Sequence, residues 1–188
     1  MKKFELTSEF VTFLGKTLFR IKALVSFGDV AEGELGGFIE RENNLDQSGD
    51  AWVYGDAQVY GNAWVSGNAR VYGDAQVYGD AQVYGNAQVS GDARVYGDAH
   101  VYGNAWVYGD AWVQNCRDYS ATSCFGSENR TTTFFRTKDG GISVRCGCFY
   151  GTLREFREKV KERHGDSRLA KEYLMLADLM EFRLSKDE

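Results

Sequence analysis

Over residues 49–114 apolar and polar positions alternate with a period of two inside a longer period of six, through eleven uninterrupted hexapeptides that begin GDAWVY, GDAQVY, GNAWVS. Within a unit Ala and Val stand two apart, with a variable residue between them and Tyr or Ser after. That is the alternation of a strand facing a core with Ala and Val and facing outward with the rest. A Gly-Asp or Gly-Asn pair separates successive strands, and these residues accept the tight or left-handed backbone that a corner needs. So short a strand buries too little to stand alone. Eleven of them separated by corners predict a coil whose turns stack on one another.

The flanks are patterned differently. FELTSEFVTFLGKTLFRIKALVSF alternates on either side of Gly15-Lys16, which predicts a β-hairpin. Residues 28–48 keep a degenerate six-residue spacing, with Ile39 and Leu45 in register with Ala51, and read as a first coil and cap over an open stack end. Beyond Gln114, residues 131–137 and 142–149 flank a Lys-Asp-Gly-Gly turn as a second hairpin. Thr152 with Glu155 three residues on is a capping-box signature for a helix carrying Leu153, Phe156 and Val160 on one face, ended by His164-Gly165. Ser167 opens another amphipathic helix along Leu169, Tyr173, Leu176 and Met180. The chain thus divides into residues 1–48, 49–114 and 115–188.

The GDAxVY pattern resembles the hexapeptide repeat of left-handed parallel β-helices, over 66 of 188 residues. The resemblance implies three units per triangular coil, hence about 3.7 coils and a column roughly 18 Å tall at the usual strand spacing. The expected fold is mainly β: a left-handed parallel β-helix with an amino-terminal β cap and a small carboxy-terminal α+β module. KTLFRIKAL, GELGGFIERENNL and GDAWVYGDA are together similar to uncharacterised phage and prophage hexapeptide-repeat proteins. That similarity implies a phage-type scaffold, and the β-helix resemblance implies a homotrimer.

Taking every third unit reads the outer surface. One corner stacks Asp56, Asp74, Asp92 and Asp110; another carries Asp50, Asn68, Asn86 and Asn104; the third has Asn62, Asp80 and Asp98. The four-Asp ladder reads either as ordinary corner chemistry or as an edge for cations or a basic partner, since stacked carboxylates repel. Eight outward Tyr should form ladders. Trp52, Trp64, Trp106 and Trp112 all take outward positions toward the two ends of the array, which are expected to be covered by the flanking segments or another subunit.

Composition narrows the classes further. Glycine numbers 22 and proline 0, where average usage gives about 13 and about 9. Apolar residues at 43% exclude intrinsic disorder. A net charge of −5 argues against a general nucleic-acid binder, although a basic end, with 14 basic and 12 acidic residues after Gln114, sits on an acidic column. No apolar run approaches a membrane span and MKKFELTSEF is charged where a signal peptide is apolar, so the expected setting is cytoplasmic. Cys116, Cys124, Cys146 and Cys148 all lie in the last third, and they are expected to be reduced and buried on strands. The Cys-Gly-Cys spacing does not suit a zinc knuckle, and no cofactor is implied.

The densest cluster of donors is FGSENRTTTFF, where Ser127, Asn129, Arg130, Thr131, Thr132 and Thr133 crowd one loop-to-strand junction, with Arg136, Lys138 and Arg145 nearby. Several N–H and O–H donors around a guanidinium suit a phosphate or carboxylate. The first reading is therefore a non-catalytic trimeric scaffold whose carboxy-terminal module binds a small anionic ligand. The phage resemblance extends this to a host signalling nucleotide or a host defence protein. Hexapeptide acyltransferases use a general-base histidine, and the repeat offers only the outward His100 with no looped excursion to shape a pocket. A purely structural spacer is the third class.

Overall fold

In a computed structural model that describes residues 2–185, every hexapeptide contributes one two-residue strand. These eleven strands, β4 to β14, run from Trp52–Val53 to Trp112–Val113. Each pairs in parallel with the strand three units along the chain, so three units make one coil, as with Trp52, Arg70, Gln88 and Trp106 on one face. A second face aligns Gln58, Gln76, Arg94 and Trp112, and a third Trp64, Gln82 and His100. All the repeat Ala and Val side chains are buried in one continuous core. The chain is mainly β, with about four coils over residues 38–113.

Corners stack as tightly as strands. The Asn86 N–H donates to the Gly103 carbonyl at 2.8 Å, next to the Gln88-to-Ala105 ladder bond at 2.9 Å, so backbone pairing continues around the bend. Gly85 sits at φ +71°, and a Cβ there would lie 3.1 Å from the Gly103 nitrogen. A side chain is strained at such a dihedral. Glycine is therefore required twice over: for its dihedral and for the closeness of the next coil. Tyr ladders follow the same register, with Tyr60, Tyr78 and Tyr96 stacked at 5.0 and 5.1 Å.

The amino-terminal segment forms the expected hairpin, β1 (Phe4–Phe13) and β2 (Lys16–Ala23), and β3 (Leu35–Ile39) joins it to the column by pairing with Gln58–Val59. The predicted register of this first coil is corrected. Ile39 lies over Val59 and Leu45 over Val65, in the Val rather than the Ala position. Two additional residues between Leu45 and Val53 take up the offset, and a shift of two keeps both side chains facing the core. Above Trp52, Phe4 and Phe27 pack edge-on at 6.1 and 5.3 Å. Lys3 is buried there and donates to the Ser48, Gly49 and Ala51 carbonyls at 3.4, 3.3 and 2.9 Å. It caps acceptors at the end of the stack, where no further coil supplies donors.

At the other end β15 (Tyr119–Phe125), β16 (Arg130–Arg136), β17 (Ile142–Cys146) and β18 (Phe149–Thr152) form an antiparallel meander. Helices α1 (Leu153–His164) and α2 (Arg168–Leu184) cover one face of it, with the expected Thr152 capping box and Ser167 cap. The other face closes the column: Phe135 and Tyr119 join the solenoid core, and Thr133 Oγ1 accepts the Trp106 N–H at 3.0 Å. Burial pushes the pKa of the Tyr119 hydroxyl up. No described helix is long and apolar enough to cross a membrane.

Two outcomes follow from the coil geometry and its cap. Gly103 shares the dihedral of Gly85 at φ +69° but has open space where a Cβ would go. Urea denaturation should therefore show Gly103→Ala losing about 1 kcal/mol and Gly85→Ala roughly twice that or more, the difference measuring coil contact. Burial pulls the Lys3 ammonium from 10.5 down to about 8. Between those values the unfolded chain holds the extra proton, so the Lys3 contribution to stability rises with pH across that window. Melting temperatures of wild type minus Lys3→Met should increase from pH 7 to pH 10, and a flat difference would contradict the buried-ammonium account.

Candidate functional site

Strand β16 alternates between two cores. Phe134 points to the helices and Phe135 to the column, so Arg130, four residues before Phe134, lies on the helix side at the strand's open end. There it meets α1, whose Phe156 and Val160 face inward while Lys159 and Arg163 flank them at helical spacing. The turn Cys146-Gly147-Cys148 and the loop at Ser127 and Glu128 complete a cavity of about 320 Å³. A Cβ at Gly147 would stand 3.1 Å from the Arg130 guanidinium, and one at Gly126 would overlap the Tyr173 hydroxyl. Both glycines thus let a wall approach closely. Ser127 donates its N–H to that hydroxyl at 3.2 Å, tying the loop to α2.

The floor is aromatic. Phe149 and Tyr173 pack on Phe156 at 5.7 and 5.8 Å, and the His164 ring stacks on Tyr173 at 5.7 Å. The rim is cationic: Arg130, Lys159 and Arg163 against Glu128, the one carboxylate among the described lining residues. Glu128 reaches Arg130 only at 3.7 Å with both side chains exposed. So loose a surface pair is weak, and a ligand can replace it. An apolar floor under a basic rim accommodates a small amphiphilic anion.

The structure brings together only two of the eight residues singled out from the sequence. Ser127 and Arg130 line the cavity. Asn129 is an exposed turn residue at φ +49°, and Thr131 shares a hydrogen bond with Ser123 at 2.9 Å. Thr132 and Thr133 are buried, the first donating to Cys146 Sγ at 3.2 Å and the second accepting from Trp106, so neither hydroxyl is presented to a ligand. Arg136 donates to the Leu184 and Ser185 carbonyls at 2.7 and 3.0 Å and pairs with the buried Asp118 at 3.3 Å, clamping α2 to the column's end. Arg145 lies on the opposite sheet face, its guanidinium 3.9 Å from the Trp106 ring centre. Lys159, Arg163, His164 and Tyr173 are lining residues that the sequence reading misses, although the Phe156, Lys159, Val160, Arg163 spacing already puts charge beside an apolar stripe.

Trp52 lies wholly beneath the amino-terminal cap, and Trp106 and Trp112 lie under Arg145 and Lys138 of the carboxy-terminal module. Trp64 remains on an open face. The Asp ladder is engaged at both ends, Asp56 by Arg20 at 3.5 Å and Asp110 by the Tyr150 hydroxyl at 3.1 Å. The expectation of buried thiols is corrected: Cys116, Cys124 and Cys148 are exposed because they fall in turns or toward a strand end, and only Cys146 is half-buried. His100 stands on the open face with Tyr84 edge-on at 6.4 Å.

Three stretches of the column, residues 57–73, 63–79 and 87–103, match the YdcK beta solenoid repeat. These matches support a β-solenoid repeat protein and lie entirely outside the cavity-bearing module. No curated protein matches the chain.

The clamp predicts a measurable weakness. Asp118 accepts the Gln114 and Asn115 N–H groups at 2.9 and 3.0 Å besides pairing with Arg136. Asp118→Ala strands those donors and the guanidinium together, and equilibrium denaturation should show a loss of about 3 kcal/mol.

Proposed function

We propose that this protein is a non-catalytic β-solenoid scaffold that holds a ligand-binding module at its carboxy-terminal end, and that the ligand is a small anion with an apolar body. One observation carries the reading: Arg130, Lys159 and Arg163, from a strand end and a helix face, ring an aromatic cavity of about 320 Å³ whose rim has more positive than negative charge. Among the described residues Arg163 makes no ion pair, and the Arg130 pair is loose. Guanidinium groups so weakly matched on the rim of an apolar cavity stabilise the fold little and favour a carboxylate, sulfonate or phosphate partner.

The rigid column supports this reading in a second way. The sheet carrying Arg130 is fixed on one face to the solenoid core and on the other to the helices, so the cavity walls are held before a ligand arrives. The cavity lies within one chain, so the reading holds for one copy or three.

Native mass spectrometry of the protein as purified tests for a retained small molecule. Titration with 8-anilinonaphthalene-1-sulfonate, itself an amphiphilic anion, tests the site directly. Arg130→Ala and Arg163→Ala should each weaken that probe about tenfold while circular dichroism and melting temperature stay unchanged. Probe binding that both substitutions leave intact, with no retained mass in the wild type, would overturn the proposal.

A further inference from the structure

The four cysteines are free, and their surroundings differ. Cys124 is exposed at φ +57°, where the pairing of β15 with β16 shifts register. Cys116 lies in the turn after the last repeat, beside a second cavity in which Arg183 is the one charged residue among the described lining. Cys146 and Cys148 straddle Gly147, and both line the basic cavity. Cys146 ends β17 and pairs with Phe149 across the turn Gly147-Cys148. Strand parity puts it on the helix side with Val144, where it is half-buried and accepts the Thr132 hydroxyl at 3.2 Å. Its sulfur is thus part of the packing. Cys148 is instead an exposed turn residue of the cavity wall.

Positive charge converges on that turn. A Cβ at Gly147 would lie 3.1 Å from an Arg130 guanidinium nitrogen, so this cation abuts the residue before Cys148. Lys159 and Arg163 of α1 line the same cavity. Against them stands Glu128, paired loosely with Arg130 at 3.7 Å. Phe149 and Phe156 supply the apolar floor, their rings 5.7 Å apart. An accessible sulfur, a rim of net positive charge and an aromatic surface therefore share one cavity of about 320 Å³. Cys124 has the exposed sulfur but lines neither this cavity nor the one beside Cys116.

Resting on the anion-cavity reading above, we propose that Cys148 is a covalent capture site for small anionic disulfides, in which a carboxylate-bearing body flanks the S–S bond. The Cys148 sulfur, as thiolate, attacks one sulfur of the bound disulfide. A new S–S bond forms as the old one breaks, and the other half leaves as a thiolate with the bonding pair. The Cys148 proton goes to solvent. The protein sulfur is oxidised to a mixed disulfide and the departing half is reduced to a thiol, so no other oxidant enters. Exchange of this kind suits the site because negative charge moves onto the leaving sulfur, and neighbouring cations stabilise it. The retained half keeps its carboxylate against the basic rim and its body over the aromatic floor.

Two aromatic disulfides test this on the reduced full chain: dithiobis(nitrobenzoate), which carries two carboxylates, and dithiodipyridine, which is neutral. Released thiol is followed by absorbance, and the labelled cysteine is identified by peptide mass mapping. Cys148 is expected to react with the anionic reagent about tenfold or more faster than Cys124, an advantage that added salt reduces. Arg130→Ala and Arg163→Ala should each slow that reaction about tenfold, while dithiodipyridine at Cys148 stays within about twofold of wild type. Cys148→Ser should abolish the fast reaction yet still bind 8-anilinonaphthalene-1-sulfonate. Equal rates at Cys148 and Cys124, a fast label on Cys146, or substitutions that slow both reagents alike would each sink the proposal. If the sulfonate probe binds in an Arg130-dependent way while Cys148 shows no preference, covalent capture fails and the anion cavity stands. If Cys148 shows the preference but neither arginine affects the sulfonate, the non-covalent reading fails and the capture site stands.

Discussion

Backbone pairing between successive coils is the constraint on which the whole molecule depends. Side chains of the repeat are small, Ala and Val, and bury modest area per unit. What locks one coil to the next is a ladder that continues from the strands into corners, where the Asn62, Asn68, Asp74, Asp80 and Asn86 N–H groups donate to glycine carbonyls a coil away. Every repeat glycine that begins a corner lies in the left-handed region. The ladder needs that conformation at each stacked corner, and it tolerates no residue lacking a backbone donor. Eleven like corners and the absence of proline from residues 49–114 are two consequences of one requirement.

A ladder has ends, and unpaired donors and acceptors there must be satisfied. The two ends are solved by different chemistry. At the amino end a buried ammonium, Lys3, covers three carbonyls while Phe4 and Phe27 cover Trp52. At the carboxyl end a strand crosses the opening and devotes one side to closure, with Thr133 and Phe135, while the Arg136–Asp118 pair clamps the strand's end to α2. Its other side is then free to face two helices, and the gap where strand, turn and helix fail to meet is the basic cavity. The cavity is a by-product of how the column is closed, and the sheet that forms one of its walls is packed on both faces.

Much of this is legible in the residues, and the departures share a cause. Period six, the hairpins, the Thr152 capping box and the Ser127–Arg130 junction are local patterns, and each appears where local chemistry puts it. Ile39 and Leu45 sit two residues from their expected register because a two-residue insertion preserves inward parity, the only property that the spacing reveals. Thr132 and Thr133 look like exposed donors in sequence, yet a sheet covered on both faces buries alternating polar residues that a surface hairpin would display. Lys159 and Arg163 look like a solvated helix face, since nothing in one helix tells that Arg130 stands opposite.

The repeat also sharpens what counts as a functional signal. Ala, Val, Gly and Asx positions are dictated by the coil, so they carry no information beyond the fold. The outward position between Ala and Val is unconstrained by packing, and mid-column it is filled mostly with Gln or Arg, residues that keep a β surface soluble. A large ring there needs a reason. For Trp52, Trp106 and Trp112 the reason is visible, because the cap or the closing module rests on each. Trp64 has no such cover among the described residues, and folding alone leaves its indole unexplained. The same logic applies to Arg130 and Arg163: cations that neither clamp an element nor pair firmly with a carboxylate are held in place by a structure that does not itself use them. In a scaffold so fully determined by its backbone, residues the fold does not require are the ones on which the proposed binding rests.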